Sequence, residues 1–165
     1  MAQDDVLARR ARSLAHPPPR ASGEGSRALV ATVGMQRFAF PLNHVLRVRA
    51  VGRCTTVPNA PQGIVGVAKL EGKIAAVFGA RTWRGLPENV RAESPVVILG
   101  VRETPLALLV DSVVGTIDVP EGVLDLRSAG EPWLRAILDD VLLVDVPRLI
   151  ELLSEHSVPA DRGVR

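Results

Sequence analysis

The second half of the chain repeats the hydrophobic pattern of the first half, about 68 residues farther along. Residues 38–42 are answered by residues 106–110, and residues 70–74 are answered by residues 138–142. Short apolar runs bounded by turn residues are typical of β-strands. One offset that serves both pairs predicts two copies of one small β unit, with a groove between them in which another protein can bind.

The composition supports a folded β protein and narrows its function. Hydrophobic residues make up 47% of the 165 residues, which is enough for a core, whereas aromatic residues make up only 3%. Proteins that bind single-stranded nucleic acid need aromatic side chains on which bases stack. A nucleic-acid-binding small β-barrel and a small β-barrel enzyme therefore remain as alternatives that the sequence does not favour.

Charge and turn residues predict the domain organisation. Residues 1–27 carry five arginines against three acidic residues, so the net charge of +2 lies there and the remainder is neutral. We expect residues 1–27 to be a flexible segment with a short helix over residues 4–15, which is marginal on its own. Residues 28–153 are the predicted domain, with a second β subdomain that starts near residue 95, and residues 154–165 are a C-terminal tail.

The same features limit where the protein acts. A neutral domain without a dense basic face is a poor footprint for duplex DNA, so no nucleic-acid partner is expected. No apolar run approaches the roughly 20 residues of a membrane span. We expect a cytoplasmic protein that does not insert into a membrane.

Turn residues divide the apolar runs into strands. Glu71-Gly72 is predicted to close a tight hairpin, and Asp139-Asp140 a second one, in preference to a catalytic carboxylate pair. Residues 95–101 are continuously apolar, as in a strand that is buried on both faces. Pro147 is placed to start a short C-terminal helix through Leu153. The pattern predicts a mostly β fold of small barrels or a sandwich.

The histidines and the cysteine do not form a metal site by their spacing. His16, His44 and His156 lie far apart in the sequence. Cys54 is the only cysteine, which excludes an internal disulfide and favours a small apolar filler. We predict no metal and no cofactor.

Other polar residues also have structural interpretations. Asp111 follows a strand and Asp145 interrupts one, so either is expected to face solvent. Arg81 and Arg84 flank Trp83, where they could form a small anion or cation–π site but are expected to cover the mouth of a barrel. No nucleophile motif accompanies these residues, and we predict no catalytic residue.

A surplus of aliphatic residues points to a docking surface. Small barrels cannot bury every aliphatic side chain internally, and apolar surface that remains exposed often marks an interaction site. The alternative for each residue is simple burial between the two halves. The residues predicted to line the join are Leu29, Leu42, Val45 and Val48 from the first half, with Leu109 and Val113 from the second.

Four stretches, taken in order, resemble the family of CheW-like chemotaxis coupling proteins. They are residues 38–48, 57–74, 109–115 and 142–146. The resemblance covers about residues 27–153. It implies two five-stranded SH3-like β subdomains with a short C-terminal helix, and the function of a non-enzymatic adaptor in a bacterial chemosensory array.

The resemblance also implies the partners. The cytoplasmic tip of a chemoreceptor would lie in the groove between the subdomains, against Leu29, Leu42, Val45 and Val48. A CheA-type histidine kinase, or another CheW-like protein, would pair with the outer ends of the barrels.

The chain departs from the family pattern at three positions. Arg47 stands where an acidic residue is usual, and residues 69–72 read Lys-Leu-Glu-Gly where Asn-Leu-Arg-Gly is usual. An Asp-Leu-Arg element is reduced to residues 79–81, Gly-Ala-Arg. Since like charges across an interface reject a partner, we hypothesise an atypical member. Partner specificity would rest on Arg47, Glu71 and Gly72, and contact with the usual kinase would be weakened or lost.

Overall fold

The computed structural model describes residues 26–101, 104–127 and 130–157. The helix predicted over residues 4–15 lies outside these ranges. The strands of the first half are β1 (Ser26–Val33), β2 (Gln36–Pro41), β3 (Val45–Ala50), β4 (Cys54–Thr55), β5 (Ile64–Leu70) and β6 (Lys73–Gly79). Those of the second half are β7 (Pro95–Val101), β8 (Thr104–Leu109), β9 (Ser112–Val119), β10 (Leu134–Leu138) and β11 (Val141–Val144). The helices are α1 (Ala80–Trp83) and α2 (Val146–Ser157), with short 3-10 helices at Leu42–His44 and Val123–Asp125.

The strands form two sheets, each with strands from both halves of the chain. The first sheet has the order β10-β11-β2-β1-β9, and the second has the order β3-β7-β8-β6-β5-β4. The hairpin β1–β2 of the first half therefore completes the sheet of β9, β10 and β11. The hairpin β7–β8 of the second half completes the sheet of β3, β5 and β6. The two halves have exchanged their first hairpins.

The sequence repeat is also a structural repeat. Leu29 pairs with Phe40 and with Thr116, and Val97 pairs with Leu108 and with Val48, which is the same arrangement one repeat later. The parallel pairs differ, because Leu143 lies opposite Ala39, whereas Val77 lies opposite Ala107. The register of this parallel pairing therefore differs by two residues between the two barrels.

Strand alternation distributes the apolar side chains among three buried clusters. We call the barrel formed by the first sheet the first barrel and that formed by the second sheet the second barrel. Along β1, Leu29 and Ala31 point to the join between the sheets, while Ala28 and Val30 point into the first barrel. The join is the largest cluster, and it also receives Phe38, Leu108 and Trp133 and one face of α2. Strands such as β7, with Val96 and Val97 both fully buried, are apolar on both faces, as the sequence predicts.

The two turns predicted at Glu71-Gly72 and Asp139-Asp140 both join adjacent strands. Glu71 has a φ of 52° and Asp139 a φ of 54°, which are left-handed conformations that tight hairpin turns require. Asp tolerates this region better than Glu because its short side chain bonds locally. The pair of equal backbone turns places one acidic side chain at an equivalent point on each barrel.

Helix α2 is longer than the helix predicted from Pro147 to Leu153. Its start is fixed by Asp145, whose carboxylate accepts a hydrogen bond from the Arg148 amide at 3.2 Å. The same carboxylate binds the Arg135 guanidinium at 2.8 Å, and both side chains are mostly buried. Asp145 is therefore a helix cap and a buried partner of arginine, and the expectation that it faces solvent is wrong.

Candidate functional site

The residues predicted to line the groove fall into three groups. Leu29 is 8% exposed and belongs to the filled core at the join. Leu42 and Val45 are half-buried against the same core, while Val48 is 39% exposed on β3. A partner can therefore touch Leu42, Val45 and Val48 directly, whereas Leu29 lies in the core against which Leu42 and Val45 pack.

Leu109 does not line the join. It is 2% exposed and packs with Val51, Val77 and Val96 inside the second barrel. Its neighbour Leu108 points to the join instead, because successive side chains on a strand face opposite sides. The sequence could not show which of Leu108 and Leu109 faces the join, because both faces of β8 are buried. Val113, by contrast, packs against the join as predicted.

Two of the exposed apolar residues that the sequence reasoning did not single out lie at equivalent points of the repeat. The pairing of β3 with β7 skips Leu46, and the pairing of β9 with β1 skips Val114, so each residue sits in a β-bulge. Leu46 is 60% exposed and Val114 is 61% exposed. Leu46 also lies over Gly100, where a Cβ would come within 2.6 Å of its Cδ1. Leu46 and Val114 occupy the same position in the two copies of the repeat, and this was the only sign in the sequence that they are equivalent.

The two charged residues that depart from the family pattern contact each other. Arg47 donates to both carboxylate oxygens of Glu71, at 3.0 and 2.9 Å, and Arg49 donates to the same carboxylate at 3.2 Å. Arg47 and Arg49 reach it together because they are two residues apart on one face of β3. Gly72 completes the turn with a φ of 79°. The side chains of Arg47, Arg49 and Glu71 are 42–61% exposed. This charged triad is therefore solvated, and its effect on the stability of the fold is small.

An apolar groove adjoins this triad. Its volume is about 510 Å³, and Leu46, Leu70 and Ile98 contribute to its lining. Ile74, at the rim, is 80% exposed. We call the surface formed by Leu46, Arg47, Arg49, Glu71, Lys73 and Ile74 the basic end, since it holds three basic side chains and one acidic one.

The remaining polar candidates hold the fold together. Asp111 accepts hydrogen bonds from the Gly34 amide at 2.8 Å and from Arg81 at 2.6 Å, and Arg81 also donates to the carbonyl of Pro87. Asp111, from the second half of the chain, thereby links the β1–β2 turn and α1, which both belong to the first half. Asp111 is an exposed residue, as expected, but these bonds leave only 29% of its side chain accessible.

Arg84 stacks on two indoles. Its guanidinium lies 5.9 Å from the Trp83 ring centre and 5.5 Å from that of Trp133, and the two rings meet edge to face at 4.7 Å. A cavity of about 270 Å³ opens beside them, with Leu153 also in its lining. Arg84 therefore makes the cation–π contact that the sequence left open. Arg81 instead forms an ion pair with Asp111.

Within the described ranges, no three His, Cys, Asp or Glu side chains are grouped so as to hold a metal ion. Burial raises the pKa of the Cys54 thiol, which makes it a poor nucleophile at neutral pH. None of the described helices is long and apolar enough to cross a membrane.

Comparisons with known proteins agree with this geometry. A family model described as a CheW-like domain matches residues 27–154. The crystal structure of the scaffolding protein TtCheW from Thermoanaerobacter tengcongensis is similar with a TM-score of 0.62 and 19% identity, covering 73% of this chain and 89% of that one. No curated protein is significantly similar in sequence. The predicted fold of two SH3-like β subdomains with a short C-terminal helix is thereby confirmed, and the second sheet carries β4 as a sixth, two-residue strand.

Proposed function

Because the chain belongs to the CheW-like domain family, we propose that it is a non-enzymatic adaptor in a cytoplasmic bacterial chemosensory array. The observation that carries the proposal is the exposure of aliphatic side chains on two strands of the second sheet. Leu46 on β3 is 60% exposed, and Ile74 near the start of β6 is 80% exposed. Exposed aliphatic residues grouped beside charged ones are typical of surfaces that bind proteins.

The proposed receptor-binding surface consists of Leu42, Val45 and Val48. Leu42 and Val45 rest on the core of the join, so their positions are fixed before a partner arrives. A rigid apolar surface loses little conformational freedom on binding. The cytoplasmic tip of a chemoreceptor, as a helical hairpin, would place an apolar stripe against these residues.

This surface is tested by titrating the full chain with a receptor-tip hairpin in a calorimeter. Val48→Asp would put a carboxylate into the contact, and we expect the affinity to fall by about tenfold or more, equivalent to 1.4 kcal/mol. Val57→Asp is the matched control, because Val57 is 38% exposed and Val48 is 39% exposed. Equal losses in both variants, or no binding by the unaltered chain, would contradict the proposed surface.

The second part of the proposal concerns the histidine kinase. The basic end keeps an ion pair between positions 47 and 71, with the arginine on β3 and the carboxylate at the turn. By the family resemblance the charges are usually the other way round. The reversal preserves the pair within the chain but presents the opposite charge to a partner at each position. We infer that contact with the usual kinase regulatory domain is weakened and that a partner of altered charge is preferred.

Charge reversal by mutation separates the internal pair from the contact with a partner. The double variant Arg47→Glu, Glu71→Arg restores the usual polarity and keeps an internal pair, so we expect at least about tenfold stronger binding to a CheA-type regulatory domain. Each single reversal places like charges against each other and serves as the control for simple loss of the pair. Arg49, which also binds Glu71, would then face an arginine, so the double variant is also made with Arg49→Gln.

The outcome distinguishes three cases. Stronger binding by the double variant alone supports the charge hypothesis. Equal binding by all variants shows that the kinase does not sense these charges. Tight kinase binding by the unaltered chain, without a compensating charge on the kinase, overturns the weakened contact but leaves the receptor-binding surface standing.

A further inference from the structure

The end of the first barrel carries an apolar groove with an acidic rim. The groove has a volume of about 610 Å³ between β2, β9 and the β10–β11 hairpin. Its apolar members include Ile117 and Val141, and Ile137 is 61% exposed beside them. We call this surface the acidic end. It is lined by Arg37, Ile117, Asp118, Pro120, Ile137, Leu138, Asp139, Asp140 and Val141.

Charge on the acidic end is only partly neutralised. Asp140 lies 3.4 Å from Arg37, and Asp118 lies 3.5 Å from Arg27, with both aspartates more than 70% exposed. The side chain of Asp139, at the tip of the turn, makes no ion pair or hydrogen bond with any of the described residues. Pairs this exposed are weak and exchange readily with other cations. The surface can therefore accept further arginines.

The N-terminal segment leaves the fold at this surface. Ser26, the first described residue, pairs with Val119, and Arg27 pairs with Asp118. Asp118 and Pro120, on either side of Val119, line the groove. The segment before Ser26 is therefore tethered at the edge of the acidic end and far along β1 from the Gly34 turn.

The sequence of that segment is complementary to the groove. Residues 4–20 hold four arginines, at Arg9, Arg10, Arg12 and Arg20, against the two aspartates Asp4 and Asp5, so the segment is basic overall. The apolar side chains of Val6, Leu7 and Leu14 accompany them. A basic segment with an apolar stripe matches a groove that is apolar at its base and acidic at its rim.

We propose that residues 4–20 dock on the acidic end of their own molecule. The link from Arg20 to Ser26 contains Gly and Ser, and such linkers span about 5–6 Å multiplied by the square root of the residue number. The tether holds the segment at an effective concentration of about the millimolar range, so weak docking is enough for occupancy. The docked segment covers the acidic end and leaves the basic end open.

This inference needs neither the receptor nor the kinase, so it is tested on the full chain alone. Cys54 is replaced by Ser, and Ala11→Cys supplies a site for a nitroxide spin label. In isotopically labelled protein we expect the oxidised label to weaken the amide signals of residues 117–118 and 137–141. Reduction of the label should restore them. Signals of residues 46–49 and 71–74 at the basic end should keep their intensity.

Two controls separate charge recognition from chance contact. Asp139→Asn with Asp140→Asn removes two charges while Asn still tolerates the turn, and we expect the signal loss to disappear. Glu93→Gln with Glu155→Gln removes two exposed charges elsewhere, and we expect the loss to remain. In 1 M salt the Debye length falls to about 3 Å, so the loss should again disappear.

Three results would overturn the proposal. The first is no selective signal loss at residues 117–118 and 137–141. The second is an equal loss in both variants with altered charge. The third is a loss that appears only when spin-labelled and isotopically labelled molecules are mixed, which would assign the groove to a second copy of the chain.

Discussion

The two halves of the chain share a backbone and differ in the charge they display. Both have a bulge at the same point of the repeat, at Leu46 and Val114, and both have a left-handed turn residue, at Glu71 and Asp139. At the first turn two arginines from β3 hold the carboxylate, whereas Asp139 at the second turn is open to solvent. Backbone geometry is therefore shared by the two halves, and they differ in the charged side chains that they expose at equivalent points.

The largest test of this equivalence lies in the barrel cores. Leu109→Ala in the second barrel and Leu143→Ala in the first remove fully buried side chains, which costs about 2–5 kcal/mol each. We expect similar falls in the free energy of unfolding, measured by urea titration. Val48→Ala, on the exposed face of β3, should change stability by less than about 0.5 kcal/mol. A near-neutral Leu109→Ala would show that Leu109 is not a core residue.

The next test compares the helices that come after the last strand of each half. After β6 the chain makes only α1, which starts after Gly79 and is capped from outside by Glu88, whose carboxylate accepts a hydrogen bond from the Thr82 amide at 3.1 Å. After β11 it makes α2, which is capped by Asp145, the residue just before the helix. Asp145→Ala removes the cap and leaves Arg135 without its carboxylate, so we expect a loss of about 1–3 kcal/mol. Asp145→Asn keeps an acceptor for the cap and should lose less. Equal losses of stability in the two variants would mean that the charge of Asp145 matters and its hydrogen bond to the helix does not.

A smaller difference is expected between the two turns. Glu71→Gln disrupts the pairs with Arg47 and Arg49 and should lower stability by about 0.2–1 kcal/mol at low salt. Asp139→Asn removes no described ion pair and should have almost no effect. Thermal unfolding in low and in 1 M salt distinguishes them, because screening should abolish the effect at Glu71. A persistent effect in 1 M salt would indicate a backbone cause.

The smallest effect involves β4, the strand that the second sheet has in addition to the repeat. Burial disfavours the charged thiolate of Cys54, so its pKa lies above the usual value and little thiolate exists at pH 8. We expect iodoacetamide to alkylate Cys54 more slowly in the native chain than in chain unfolded by urea. Mass spectrometry over time measures both rates, and equal rates would show that β4 does not shield the thiol.

Much of the fold was predictable because hydrophobic runs and turn residues are local signals. The hairpin at Glu71-Gly72 and the doubly buried strand at residues 95–101 were predicted from neighbours in the sequence. The exchange of hairpins was not, since an apolar strand does not record which strand it pairs with. Leu109 was placed in the join for the same reason, because burial on both faces hides the alternation.

The candidate site was less predictable because it depends on residues far apart in sequence. By the family resemblance Arg47 and Glu71 are each departures from the usual pattern, and the sequence alone predicts that each faces a partner. Their mutual contact joins a strand to a distant turn and is visible only in the folded chain. Leu46 was missed because a bulge, which reverses the expected direction of a side chain, had no signature in the sequence other than the equivalent position of Val114 in the repeat.

The exchange of hairpins also determines when the protein can fold during synthesis. The β1–β2 hairpin has to wait for β11, whose residues leave the ribosome about 100 residues later, or some 5–20 s at ordinary rates of translation. Until then β2 presents an apolar edge without its parallel neighbour, and the first half alone cannot close either barrel. The nascent chain should therefore depend on chaperones for most of its synthesis, and a chain cut before β10 should aggregate.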